Sequence, residues 1–206
     1  MFNISEFQQE ILDNGVLRSN RYLVTFNPPK YLSNENTKYL SLRCESAQIP
    51  GMTFATVDGP PRFGYGPIES NPYGVIYDDV TLNFILDSKT DVYNFFYKWS
   101  NSIVNYQSIG QSALKDSGGP VKGMKTWEVG YKDSYVTDIT ISIYDGSGTV
   151  DQLDAGNKVM EVTLYRAFPK NLPTFDMNWE GNNDIVKLPV QFNYTDFTMK
   201  QIRNKV

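Results

Sequence analysis

The side chains able to do chemistry in this chain are few, and their spacing argues against an active site. Cys44 is the single cysteine and there is no histidine, so neither a Ser-His-Asp nor a Cys-His arrangement can be assembled, and no histidine metal site of the usual kind exists. Cys44 as a nucleophile lacks a base and reads better as a small core residue. Asp145, Ser147, Thr149 and Asp151 alternate like oxygen ligands of calcium, but Gly146 and Gly148, with no bidentate glutamate in place, fit a hairpin loop better. Gly64 and Gly66 could open a dinucleotide fingerprint; Pro67 and Glu69 break it and leave turn glycines. Asp78 and Asp79 are adjacent, and neighbours on a strand face opposite ways, the wrong geometry for an acid and a base sharing one substrate. Asn3-Ile4-Ser5 and Asn193-Tyr194-Thr195 match the glycosylation sequon, which means nothing without a secretory route. No metal or cofactor is expected.

The elements behind these residues are organised around Asp78 to Asn105. Val80, Leu82, Phe84 and Leu86 alternate as on a half-buried strand. Ser88 and Asp91 then have the spacing of a capping box, and Val92, Phe95, Phe96, Trp99 and Ile103 recur with the period of a helix that must lie on a sheet. Upstream, Ser5 to Asn14 predicts a short helix with Ser5 and Gln8 as its capping box, Phe7, Ile11 and Leu12 as its apolar face, and Gly15 as its stop. Arg21 to Asn27 predicts a strand ended by Pro28 and Pro29. Tyr39 to Ala47 predicts another, with Leu40, Leu42 and Cys44 on one face. Three strands close the chain, Tyr135 to Tyr144, Lys158 to Phe168 and Ile185 to Phe197, the first two joined through turn chemistry at 145–148 and 156–157. Pro189 points to an edge or a bulge in the last of them.

Two stretches lack such a pattern. Gln48 to Tyr77 is rich in glycine, proline and aromatics and predicts an extended hairpin arm, Met52 to Val57 out and Arg62 to Ile68 back. Tyr106 to Thr126 carries Ser117-Gly118-Gly119-Pro120 and predicts a flexible surface loop. The fold class is therefore mainly β: a sandwich or barrel-like unit with one helix packed on the sheet and a long arm. Residues 1–206 are expected to form one domain.

Net charge and hydropathy narrow the function. The formal charge is -4 with no Lys/Arg cluster, so the footprint of a nucleic-acid-gripping protein is missing. No apolar run approaches the roughly 20 residues of a membrane span, and no leader is evident, so a soluble chain made in the cytoplasm is expected. The 14 Tyr, 12 Phe and 3 Trp exceed what an evident site could use. Core packing takes many, and those in the arm are better explained as contact surface. The outside alternative is a carboxylate-based, metal-dependent hydrolase with its pocket beneath the Tyr106 to Thr126 loop.

The order of marks along the chain resembles the tail tube proteins of contractile-tailed bacteriophages. The resemblance runs through Arg21-Tyr22-Leu23-Val24 and Leu42 to Gly51 ending in Ala47-Gln48-Ile49-Pro50-Gly51. It continues through Asp79 to Leu86 with the helix centred on Trp99, Tyr135 to Asp145, Ala167-Phe168-Pro169-Lys170, Trp179 with Asn182 and Asn183, and Val190 to Tyr194. What it implies is a non-enzymatic virion protein: a homohexameric ring, stacked into a tube inside a sheath, through which DNA leaves without specific binding. Implied partners are the sheath, tape measure, baseplate and tail terminator proteins, with no membrane, and assembly in the host cytoplasm. Alternatives of the same architecture are a secretion-system or bacteriocin tube, or a tube-baseplate junction protein. The subunit contact is expected on the arm, at Ile49, Pro50, Gly51, Met52, Phe54, Val57, Phe63, Tyr65 and Ile68.

Overall fold

In the computed structural model the described residues are 3–14, 16–33, 35–59, 64–105, 128–145, 158–175, 177–179 and 185–202. Helix α1 (Ile4–Asn14) precedes β1 (Tyr22–Phe26), a short 3-10 turn, helix α2 (Lys38–Arg43) and β2 (Cys44–Ala47). Then come β3 (Met52–Gly59), β4 (Glu69–Tyr77), β5 (Val80–Ile85) and helix α3 (Asp91–Ile103). The two-residue strands β6 (Val104–Asn105) and β7 (Glu128–Val129) pair with each other, followed by the short helix α4 (Lys132–Tyr135). Strands β8 (Thr137–Tyr144), β9 (Lys158–Asn171), β10 (Lys187–Asn193) and β11 (Asp196–Gln201) complete the described chain.

Antiparallel pairing runs β1-β8-β9-β10-β5-β2, with β11 on β9. The sheet curls over its own core. Phe26 on β1 lies 5.8 Å from Phe84 on β5 and 6.2 Å from Phe192 on β10, although these strands sit far apart in the pairing order. Strand β9 makes the corner: residues 160–165 pair with β11, whereas 168, 169 and 171 pair with β10. Between them Arg166 has φ +54, and the register with β8 shifts between Thr137 and Ile139. A bulge of this kind bends a strand so that it can serve both layers. The Asp138 carboxylate accepts the Arg166 N–H at 2.9 Å and holds the unusual backbone in place.

The central strand and helix are as the pattern predicts. Val80, Leu82 and Phe84 are buried on one face of β5, and Val92, Phe95, Phe96 and Trp99 on one face of α3. Phe96 meets Phe84 at 4.9 Å, and Trp99 meets Phe192 at 6.0 Å, which fixes α3 on the sheet. The cap differs. Thr90 enters the helix with φ 57 and no side-chain cap, and the Asp87 carboxylate, not Ser88, accepts the Val92 N–H at 3.3 Å. Partial burial would raise the Asp87 carboxyl, yet backbone N–H donors of Val92 and Asp91 and the Arg43 charge hold it below its usual value.

Four other expectations are corrected. Tyr39 to Ala47 is not one strand: its first part is α2, so Leu40 is buried while Leu42 is 83% exposed. Asn36 accepts the Lys38 N–H at 3.1 Å, a local side-chain bond of the kind that diverts a short run from the ladder, and Thr37 ties the start of the helix to β1 by donating to the Phe26 carbonyl at 2.8 Å. The run Ile185 to Phe197 is divided between β10 and β11, because at Thr195 the chain leaves β5 and bonds the Tyr165 carbonyl. Tyr135 belongs to α4 rather than to β8. Pro189 faces Asn83 of β5, in a stretch of β10 preceding its pairing with β9, so no ladder bond is lost on that side. Helix α1 forms, but Asn3, not Ser5, caps it, accepting the Ser5 N–H at 3.2 Å. The Tyr106 to Thr126 loop, the turns at 146–157 and Gly15 lie outside the described residues.

Cys44 begins β2 opposite Phe84, with its thiol donating to the Ser46 carbonyl at 3.5 Å. Burial pushes the thiol up to about 12. Only the thiolate attacks a disulfide reagent, so labelling of the native protein at pH 8 is expected to be about a hundredfold or more slower than labelling in urea. Equal rates in the two states would show that Cys44 is not shielded.

Candidate subunit interface

The arm exists as a two-stranded ribbon of its own. Its strands β3 and β4 pair with each other in register from Met52↔Tyr77 to Gly59↔Glu69, and with no other strand among the described residues. The outgoing half matches the sequence reading, but the return strand is Glu69–Tyr77 rather than Arg62 to Ile68. Gly64 and Gly66 explain the difference, with φ +76 and +115. These are turn conformations that glycine adopts without steric cost, and they place the reversal where the return strand was expected. The register shifts between Ala55 and Thr56, which accommodates Pro72 in the ribbon.

Alternation along this register sorts the arm's side chains. Met52, Phe54 and Val75 share one face; Val57 and Ile76 share the other; all five are exposed. A solitary two-stranded ribbon is marginal in water, and this one is apolar on both faces. Of the residues predicted for the contact, Met52, Phe54 and Val57 lie on the ribbon, Tyr65 and Ile68 on the exposed connection near its tip, and Ile49 and Gly51 are exposed at its base. Pro50 is buried within its own chain, and Phe63 lies outside the described residues. Tyr73, Val75 and Ile76 join the exposed apolar set and were missed, because the return strand was expected at Arg62 to Ile68, ahead of the observed Glu69–Tyr77. The signal was present in the β-branched and aromatic run Tyr73 to Tyr77.

The root of the arm is held by a defined set of contacts. The Tyr77 ring lies 5.5 Å from Phe197 and 5.9 Å from Tyr194. Tyr194 donates its hydroxyl to the Asp78 carbonyl at 2.8 Å. Burial raises its pKa, and the charges of Asp78 and Asp79 raise it further, so it remains a donor. The Asp79 carboxylate accepts from Lys170 at 2.5 Å and from Asn193 at 3.0 Å, bonds that outweigh its burial and keep its pKa low. The Asp78 carboxylate lies against Gly51, where a Cβ would come to 3.2 Å. The two aspartates are thus structural and face apart, as their adjacency requires, and both sequon asparagines bond within the chain. No cluster of three His, Cys, Asp or Glu side chains that could hold a metal occurs among the described residues. What this arrangement offers is an extended ribbon, apolar on both faces, on a braced root.

A family model described as phage tail tube protein matches residues 17–200. No curated protein matches. Among solved structures, a chain of the anti-feeding prophage baseplate, 6-fold symmetrised, is similar at 12% identity over 92% of this chain and 98% of that one, with TM-score 0.56. A chain of the sheath-tube complex of an extracellular contractile injection system in the extended state is similar at 18% identity over 98% and 100%, with TM-score 0.55. A chain of the anti-feeding prophage tube-terminating cap is similar at 18% identity over 91% and 92%, with TM-score 0.55. At these identities the likeness concerns the fold.

Proposed function

The chain belongs to the phage tail tube protein family, and on that premise we propose that it is one domain whose copies form rings of six that stack into the inner tube of a contractile tail. The observation that carries this is the solitary β3-β4 ribbon, apolar on both faces, on a root fixed by Tyr77, Tyr194 and Asp79. Its exposed side chains Ile49, Met52, Phe54, Val57, Tyr65 and Ile68, with Tyr73, Val75 and Ile76, would be covered by neighbouring copies. Contact between unlike patches is heterologous, and such contacts close rings or propagate as filaments. The six-fold count is carried over from the symmetrised baseplate that shares the fold.

The tube's partners would be a sheath around it and baseplate and terminator proteins at its ends, by analogy with the assemblies that contain its structural neighbours. A tape measure protein and the DNA would occupy the lumen in turn. The net charge of -4 disfavours adhesion of DNA to the wall. The role is non-enzymatic, and the particle is a virion assembled in the host cytoplasm.

Light scattering and electron microscopy at rising concentration test this reading. The expected result is hexamers that grow into hollow tubes; a monodisperse monomer at high micromolar concentration would overturn it.

A further inference from the structure

The arm and the strands beneath it are two halves of one interrupted hairpin. Ala47 of β2 faces Leu82 of β5 below the interruption and Met52 of β3 faces Tyr77 of β4 above it, with four residues on each side between them and no change of register. Across this gap the Gln48 N–H donates to the Thr81 carbonyl at 3.2 Å and the Asp78 N–H to the Gly51 carbonyl at 3.4 Å, the second longer than a normal backbone bond. In the shared register Asp79 falls level with Pro50, which has no N–H to give. A continuous ladder therefore does not set the direction of the arm.

Side chains supply what the backbone lacks. Tyr77, Asp78 and Asp79 are consecutive, and each engages the stretch Asn193 to Phe197, where the chain passes from β10 to β11: the Tyr77 ring lies on Tyr194 and Phe197, the Tyr194 hydroxyl bonds the Asp78 carbonyl, and the Asn193 amide donates to the Asp79 carboxylate. Asp79 adds Lys170 of β9. Its carboxylate thus ties the gap to two neighbouring strands of the body, and fixing residue 79 fixes the path by which β4 enters β5. The ion pair is partly open to water, with the Lys170 side chain 55% and that of Asp79 25% exposed. Pairs so exposed contribute little to folding stability, so its geometry matters more for where the arm points than for whether the chain folds.

We propose that Asp79 is the positioning residue of the arm: held by Lys170 and Asn193 at the break in the hairpin, it sets the direction of the β3-β4 ribbon in the free subunit, so that the ribbon meets a neighbouring copy already aligned. A surface that is aligned only part of the time binds more weakly in proportion to that fraction. Fixing it beforehand removes the ordering cost from the association step. The inference rests on the reading of the arm as the contact between subunits, and it adds the residue that readies the arm for that contact.

The test reads direction and assembly separately. Electron-electron distances between nitroxides at Thr56→Cys on the arm and Thr25→Cys on β1, with the shielded Cys44 left unlabelled, report the arm's direction in the free subunit at low concentration. The parent is expected to give one narrow distance. Asp79→Asn and Lys170→Met are each expected to widen that distribution by about twofold or more and to raise the concentration at which assembly begins by about tenfold, with melting within a few degrees of the parent. The double variant is expected to be no worse than either single one, as for two residues acting through one bond. The exchanged pair Asp79→Lys with Lys170→Asp is expected to restore both readouts, the Asn193 amide turning its oxygen to the new lysine. A distribution that stays narrow in both single variants overturns the proposal, as does a widened one with assembly at the parent's concentration. Loss of cooperative melting in both would make the pair a determinant of the fold and overturns it too. A parent that never assembles overturns the tube reading instead, whereas the distances in the free subunit still decide whether Asp79 directs the arm.

Discussion

Replacing Trp99 by alanine is expected to destabilise the fold by about 3–5 kcal/mol, the range for removing a buried large aromatic side chain. Trp99 is fully buried on the inner face of α3. Its ring stacks on Phe96 at 6.3 Å and 10°, and lies 5.7 Å from Phe95 and 6.0 Å from Phe192 of β10. It also spans the fold, because its indole N–H donates to the Tyr135 carbonyl at 2.7 Å and so ties α3 to the end of α4, just ahead of β8. The alanine variant therefore opens a cavity and leaves a buried carbonyl without its donor, and the surrounding rings are too large to close over the gap. Trp99→Phe separates the two effects by keeping most of the volume while losing the hydrogen bond, and is expected to cost about 1–3 kcal/mol. Urea titration of both variants gives the measurement. An unchanged midpoint for the alanine variant would place this face of α3 away from the sheet.

Trp99 was legible in the sequence because its stripe leaves no second interpretation: five apolar residues at helical spacing, directly after an alternating strand, can share one face only as a helix. Tyr39 to Ala47 was not legible in the same way. Leu40, Leu42 and Cys44 suit a strand, while Tyr39, Leu40, Arg43 and Cys44 suit a helix, and a run this short is decided by Asn36 and Thr37 bonding the backbone. The cap of α3 was misassigned for a related reason. Ser88 and Asp91 have the right spacing, but Thr90 takes the left-handed conformation and brings Asp87 to the helix N-terminus instead. The corner at Arg166 had no sequence signal, since a non-glycine residue with positive φ carries no mark of it. Which strand leaves one layer for the other is settled by long-range pairing, as when β11 turns back to β9 after Tyr194. For the interface, the residue types were readable and their faces were not: alternation assigns a face only once the strand's ends are known, and β4 begins after Gly66 rather than before it.

The arm can be removed with little consequence for the body and complete consequence for assembly. Among the described residues of Thr53–Ile76 none belongs to the core cluster, and β3 and β4 pair only with each other, whereas Tyr77 packs on that cluster and stays. Replacing Thr53 to Ile76 by a short Gly/Ser linker keeps Gly51, Met52 and Tyr77, with the Asp78 N–H still donating to the Gly51 carbonyl at 3.4 Å. The ends to be joined are already adjacent, since Met52 and Tyr77 are paired, and closing a short flexible loop between adjacent ends adds only a modest entropic cost. The variant is therefore expected to be soluble, to melt cooperatively within a few degrees of the parent, and to scatter light as a monomer at concentrations where the parent forms tubes. The apolar side chains of both ribbon faces are what it lacks, and with them the extended backbone proposed to reach a neighbouring subunit. Tubes formed by the armless chain would assign ring closure to another surface. A variant that fails to fold would instead make the ribbon part of its own subunit's stability, and its exposed phenylalanine, valines and isoleucine would then need a partner within the chain that the pairing of β3 and β4 does not provide.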